Sequence, residues 1–410
     1  MKKIICKFFV LVSFLLIYNL TFNIENCISQ WVQMSNGIGN DKIVNSFAIL
    51  GNNIFAGTYG NGVYLSSNNG TNWIQTSLNN QIILSLLTLE NNIFAGTYQY
   101  GVYLSTNNGT NWTQTSLNNQ LVWSLVSLGN NIFAGTLFGG VYISTNNGTI
   151  WSQTDLYNKS ANSLAILGNN IFAGTVDSYN PSGIYLSTNN GTNWTQTSLN
   201  NQLVWSLATL GNNIFAGTYQ YGVYLSTDNG LNWTQTTLIN KDVYSLATIE
   251  NNIFAGTYQY GVYLSNDNGT NWVQKNQGFN VIPLVNALLI ANNYIFAGTN
   301  NKSIWRRDLS EIIGMQNIST EIPSGFSLSQ NYPNPFNPVT KIKFDIPKSS
   351  NVKLTVYDIT GKEISILANQ KVSTGSYEVE FNGENNPSGV YFYRLTTDEF
   401  SETKKMILMK

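Results

Sequence analysis

The side chains that most enzymes use for proton transfer and metal binding are scarce in this chain. None of its 410 residues is histidine, which removes the commonest general base and metal ligand. The two cysteines, Cys6 and Cys27, both fall in the N-terminal segment. Between residues 30 and 309 the acids are Asp41, Glu90, Asp155, Asp177, Asp228, Asp242, Glu250, Asp267 and Asp308. A glycosidase needs two facing carboxylates, and Asp155, Asp177 and Asp242 are the candidates for such work. The other chemistry on offer is contact. Tyrosine pairs recur as Tyr98-Gln99-Tyr100, Tyr219-Gln220-Tyr221 and Tyr258-Gln259-Tyr260, and Tyr179 lies in a related stretch. Such rings stack on sugars or anchor protein contacts. No grouping suits a cofactor or a metal ion, and none is expected.

These residues sit in a repeat. The phenylalanine of an IFAGT motif falls at Phe55, Phe94, Phe133, Phe172, Phe215, Phe254 and Phe296, at spacings of 39, 39, 39, 43, 39 and 42. Each unit reads as four short strands split by Asn/Gly turns, with period-two alternation through GVYLS. Four-stranded units of about 40 residues are propeller blades. Six complete units run from 44 to 274. A seventh supplies only three strands, near 284–291, 294–299 and 303–308. The missing outer strand is expected at Trp31-Val32-Gln33-Met34, which matches the WTQT of the other units. The N-terminal strand should therefore close the last blade and remove an open edge. The loops between second and third strands share one end of the disk with the links between blades. That end is rich in Tyr, Asn and Gln, and blade four carries its longest loop, 176–182.

On the other end lies the turn between third and fourth strands, SSNNGTNW and its variants. The unit resembles the Asp-box, or BNR repeat, S-x-D-x-G-x-x-W. Asp228 and Asp267 match its acid; Asn68, Asn107, Asn146 and Asn189 stand there in the other copies. Trp73, Trp112, Trp151, Trp194, Trp233 and Trp272 match its tryptophan. These residues are expected to be structural, the Asx oxygen taking backbone N–H groups. The resemblance to sialidases implies an arginine triad and a Tyr–Glu pair, but the propeller has only the adjacent Arg306 and Arg307. The repeats also resemble those of photosystem-assembly propellers.

Charge and the ends of the chain bear on where the protein works. The net charge is −1 and charged residues make up only 10%, so neither nucleic acid nor an anionic membrane surface is implied as a partner. Residues 1–29, basic and then apolar, read as a secretory signal cleaved before Gln30. No membrane span is expected after cleavage. The body would then hold no cysteine, hence no disulfide. Residues 310–321 read as a linker. Beyond it, 322–410 alternate as a small Ig-like β-sandwich. NYPNPFNP, VYDITG, SGVYFYRL and the final KMILMK resemble the type A C-terminal sorting domain of the type IX (Por) secretion system of Bacteroidetes and their relatives. That resemblance implies the secretion machinery as a partner and an extracellular or outer-surface location after transit through the periplasm.

The sequence thus describes an all-β protein: a seven-bladed propeller of four-stranded blades over 30–309, with a sandwich behind it. Its expected role is non-catalytic binding of a glycan or a protein. A polysaccharide hydrolase and a structural surface-layer protein are the alternatives.

Overall fold

The computed structural model describes residues 30–410, apart from 178, 179, 250, 314, 320 and 385, and leaves aside the side chains of 177, 180, 310, 311, 316, 317, 370 and 371. The signal segment 1–29 with Cys6 and Cys27, the loop residue Tyr179 and the Asp177 side chain lie outside the described residues. Seven four-stranded antiparallel sheets form a propeller. Blade 1 is Val44–Leu50, Asn53–Thr58, Val63–Ser66 and Ile74–Gln75, and blades 2 to 6 repeat the order. The innermost strands of adjacent blades touch around a closed ring, with Val285–Ala291 of blade 7 against Val44–Leu50 of blade 1.

Between each pair of blades lies one apolar layer. Phe55 and Val63 of blade 1 pack with Ile83, Ile93 and Ala95 of blade 2, with Trp112 at the edge. The same set recurs around the ring, because IFA places an Ile, a Phe and an Ala at successive pleats. Alternate side chains face opposite neighbours. The turn glycine meets this layer directly. Gly148 has φ +75°, and a Cβ there would lie 2.3 Å from Phe94 of the preceding blade. Gly148→Ala should cost roughly 1–3 kcal/mol through overpacking, on top of the strain of a left-handed residue. Urea denaturation gives the number, and a wild-type midpoint would refute this account of the layer.

Blade 7 closes as expected. Val32–Gln33 pairs antiparallel with Ile304–Asp308, Val32 opposite Arg306 and Gln33 opposite Trp305. Trp31 is 2% exposed, stacks on Phe279 at 5.0 Å between centroids and donates its indole N–H to the Lys275 carbonyl at 2.7 Å.

Two expectations change. The segment 310–321 is not a free linker. A short helix, Leu309–Ile312, buries Leu309 and Ile312 in the same cluster as Trp31 and Trp305. After it, Met315–Ser319 pairs with Gly375–Asn382 as an edge strand of the sandwich. In blade 4 the long loop is a lengthened hairpin. Its strands run to Asp177 and from Asn180, with a bulge opposite Thr175 and Val176.

The C-terminal part is an Ig-like sandwich of two four-stranded sheets around one core that includes Phe336, Phe344, Leu354, Tyr393 and Leu408. Its motifs interlock. Tyr393 of SGVYFYRL donates its hydroxyl to the Ser329 carbonyl and accepts the Asn331 N–H, both at 2.8 Å. Burial pushes that phenol up to about 12. Asn331 in turn donates to Pro333 and Thr340, fixing the start of NYPNPFNP.

Candidate functional site

The loop-bearing end of the disk is built by two repeated devices. The first loop residue of a blade donates its N–H to the link before the inner strand: Tyr98 to Ile82, Tyr219 to Leu203 and Tyr258 to Asp242, at 2.9–3.1 Å. The outer-strand glutamine then holds the far side of the loop. Gln114, Gln235 and Gln274 donate to the carbonyls of Tyr100, Tyr221 and Tyr260 at 2.6–2.8 Å. In blade 7 the N-terminal strand does the same, Gln33 donating to Lys302 at 2.9 Å. The outer-strand Gln of every blade is a loop clamp. Its regular recurrence in the sequence is the signal that identifies it.

The clamps split each tyrosine pair. Tyr100, Tyr221 and Tyr260 lie beside the third-strand tyrosines Tyr103, Tyr224 and Tyr263, helping after burial to push those phenols up. Tyr219 and Tyr258 turn toward the inner strand instead. All six are between 38% and 50% exposed. Tyr260 is covered on one face by the Lys241 ammonium, 3.9 Å from its centroid. It is thereby less free for stacking than its position in the sequence suggests.

A feature absent from the sequence reading lies at the channel mouth. Every inner strand carries a β-bulge near its start, after the first residue in six blades and after the second in blade 4. The bulged residues are Asn45, Leu84, Trp123, Asn162, Trp205, Tyr244 and Asn286, all half-buried. A bulge re-aims its side chain. In blades 1 and 7 the bulged amides tie neighbours together, Asn45 donating to Ile83 and Asn286 to Val44. In blades 5 and 6 the bulged rings meet. Trp205 stacks on Tyr244 at 5.7 Å, and Tyr244 meets Tyr258 at 6.3 Å with the planes tilted by 41°. Burial first, then the Asp242 carboxylate and the phenols of Tyr258 and Tyr219, push the Tyr244 phenol up.

Of the candidate acids, the two whose side chains are described, Asp155 and Asp242, do not assemble. Asp155 is exposed on the link into blade 4, while Asp242 precedes blade 6, so blades 4 and 5 separate them. Asp242 caps a loop, its Oδ1 accepting the Gln220 N–H at 2.7 Å, where Gln220 has φ +66°. Both propeller arginines are engaged within the last blade and its neighbours. Arg306 lies over Tyr294 at 4.2 Å and donates to the Asn69 carbonyl of the opposite end; Arg307 is buried in the last blade and donates to Gln277. Among the described residues no three acidic, His or Cys side chains are grouped to hold a metal ion.

The six turns at the other end share one geometry. The serine hydroxyl donates to the Asx Oδ1 at 2.8–3.1 Å and accepts the glycine N–H at 2.8–3.0 Å. The Asx Oδ1 also accepts the N–H four residues on, at 2.9 Å in each copy. Asn68, Asn107, Asn146, Asn189, Asp228 and Asp267 thus do the same work. Bonds from the Asn232 backbone, then its side chain and Ser226, hold the Asp228 carboxyl below the usual range. Trp112, Trp151, Trp194 and Trp233 donate to the turn glycine's carbonyl, and Trp73 is buried.

Residues 330–409 match the family model described as the secretion system C-terminal sorting domain. The chain carries a secretion sorting domain. It is a secreted protein, exported by the type IX system to the outside of the cell or to its surface. No helix among the described residues is long and apolar enough to cross a membrane. No curated protein is similar enough in sequence to count as a match. Among solved structures, YCF48 from Cyanidioschyzon merolae aligns over 69% of this chain and 99% of its own, at 14% identity and a TM-score of 0.57. An ancestral GH74 enzyme aligns over 92% of this chain and 63% of its own, at 15% identity and 0.55. The computationally designed Ika8 protein aligns over 67% and 99%, at 11% and 0.51. At these identities the likeness is one of fold.

Proposed function

We propose that this exported protein is a non-catalytic binding module whose tyrosine-bearing face takes a glycan or a protein ligand. The observation that carries this reading is the set of exposed rings on clamped loops at one end of the disk. Rings held in this way lose little entropy on binding and offer broad contact area. Asp155 and Asp242 of the same face are separated, and the half-buried Asp242 is engaged as a loop cap. Support for a protein ligand comes from YCF48, a propeller of like fold described as bound to D1 peptide. The six serine-bearing turns fit the Asp-box reading, with a role in fixing the turn between third and fourth strands and none in binding.

The experiment is a glycan array and a peptide array, run beside a hydrolysis screen on plant and microbial polysaccharides. Replacing Tyr219 and Tyr221 together by Ala should weaken capture of whichever ligand appears, each contact contributing roughly 0.5–1.5 kcal/mol, with the melting point little moved. Asp155→Asn should have a small effect, and Asp242→Asn, which disturbs the cap on Gln220, should weaken binding without exposing any turnover. If the protein hydrolyses a polysaccharide and either acid substitution abolishes turnover, the hydrolase reading replaces this one.

A further inference from the structure

The blades are near-copies, yet the channel mouth is not seven-fold. Each blade offers two inward positions there, the bulged residue and the first residue of the loop between its second and third strands. Blade by blade the pairs are Asn45 and Tyr59, Leu84 and Tyr98, Trp123 and Leu137, Asn162 and Val176, Trp205 and Tyr219, Tyr244 and Tyr258, Asn286 and Asn300. Only blades 5 and 6 carry an aromatic ring at both positions, and these blades are neighbours. Their rings form one patch, Trp205 on Tyr244 and Tyr244 against Tyr258, with the backbones of Tyr219 and Tyr258 fixed to Leu203 and Asp242.

We propose that Trp205, Tyr219, Tyr244 and Tyr258, with the Asp242 carboxylate, form a subsite for an uncharged pyranose chain laid across blades 5 and 6. The inference rests on the binding-module reading and narrows it to one place and one ligand class. A pyranose ring has an apolar C–H face, which suits an aromatic platform, and a rim of hydroxyl donors, which need acceptors at its edge. Asp242 supplies one. Its Oδ1 is committed to Gln220, which fixes the carboxylate and leaves Oδ2 to accept. A carboxylated sugar would meet that charge and be repelled, and the neighbouring Lys241 ammonium, held over Tyr260, disfavours a cationic one, so the chain is neutral. A protein ligand is less well matched: its anchors need desolvated pockets, whereas Tyr219 and Tyr258 are open rings, 41% and 38% exposed.

The test uses the full secreted chain and a panel of neutral hexasaccharides: cello-, laminari-, manno-, xylo- and N-acetylchitohexaose. Glucosamine hexasaccharide serves as the cationic comparison and an unrelated peptide library as the protein comparison. Binding is read by calorimetric titration and saturation-transfer NMR. At least one neutral hexasaccharide should bind. Tyr258→Ala and Tyr219→Ala should each weaken it fivefold or more, while Tyr98→Ala, on blade 2, changes it less than twofold. Trp205→Ala should abolish binding; Tyr258→Ala, at an exposed ring, keeps the test sound if the tryptophan variant misfolds. If Tyr98→Ala weakens binding as much as Tyr258→Ala, the subsite is misplaced although the face still binds. Binding of peptide or glucosamine hexasaccharide alone overturns the ligand class and leaves the binding-module reading standing. Binding of no neutral hexasaccharide overturns the proposal. Turnover of a bound hexasaccharide overturns both.

Discussion

A chain lacking residues 30–36 should melt at least about 10 °C below the full protein, since one kcal/mol shifts a large domain by roughly 2–4 °C. The seal of blade 7 is small in length and large in content. Only Val32 and Gln33 are paired with the third strand. Around them, Trp31 donates its backbone N–H to Gln277 and its indole N–H to Lys275, and Met34 donates to Ile304. Trp31 also fills the layer between blades 6 and 7, beside Val262, Leu264 and Trp305. Losing a buried tryptophan alone costs about 3–5 kcal/mol. Its removal also uncovers the row of backbone groups on Ile304–Asp308, an invitation to edge pairing. Differential scanning calorimetry reads the first effect and light scattering the second. Trp31→Ala should give about half the loss and no edge. A truncated protein that melts with the full chain would show that the ring does not depend on this strand.

Cutting the chain after Ile313 should leave a folded propeller that remains in the periplasm. The position matters. A cut after Asp308 would also remove Leu309 and Ile312, buried against Trp31 and Trp305, and each such side chain contributes roughly 1.5–3 kcal/mol. A cut after 321 would strand Met315–Ser319 without its partner Gly375–Asn382. With the helix kept, the melting point should stay within a few degrees of the full chain while export falls to background. Fractionation of a native host, with the melting curve of the purified fragment alongside, separates a sorting defect from a folding defect. Normal appearance of the fragment outside the cell would remove the sorting role from residues 330–409.

Much of this fold was legible because the repeat states it seven times. The period of IFAGT located every second strand, and Trp31-Val32-Gln33-Met34 betrayed its place by matching WTQT. The edge strand Met315–Ser319 was not legible: MQNIS is short and polar, and its partner lies about sixty residues on. The β-bulges were hidden for a different reason. Val204, Trp205 and Ser206 read as ordinary alternation, and the one-residue register shift depends on how the inner strand meets its neighbour. That hid the grouping of Trp205 with Tyr244. The tyrosine pairs were visible, but their division into inward and outward members follows from the hydrogen bonds of Tyr219 and Tyr258 to the blade links, which no spacing reveals.

The seal of blade 7 has a mechanical side. In the other six blades the outer strand continues covalently from the third; in this one it is held by hydrogen bonds and packing alone. The tail leaves from the same blade, through Leu309–Ile312, which lies in the cluster that grips Trp31. Where the sandwich is held at the cell surface and the disk is dragged by flow or by a bound ligand, all the tension between the two passes through the third strand of this blade and the helix after it. The blade whose outer strand is joined without a covalent link is thus the one through which the whole load crosses.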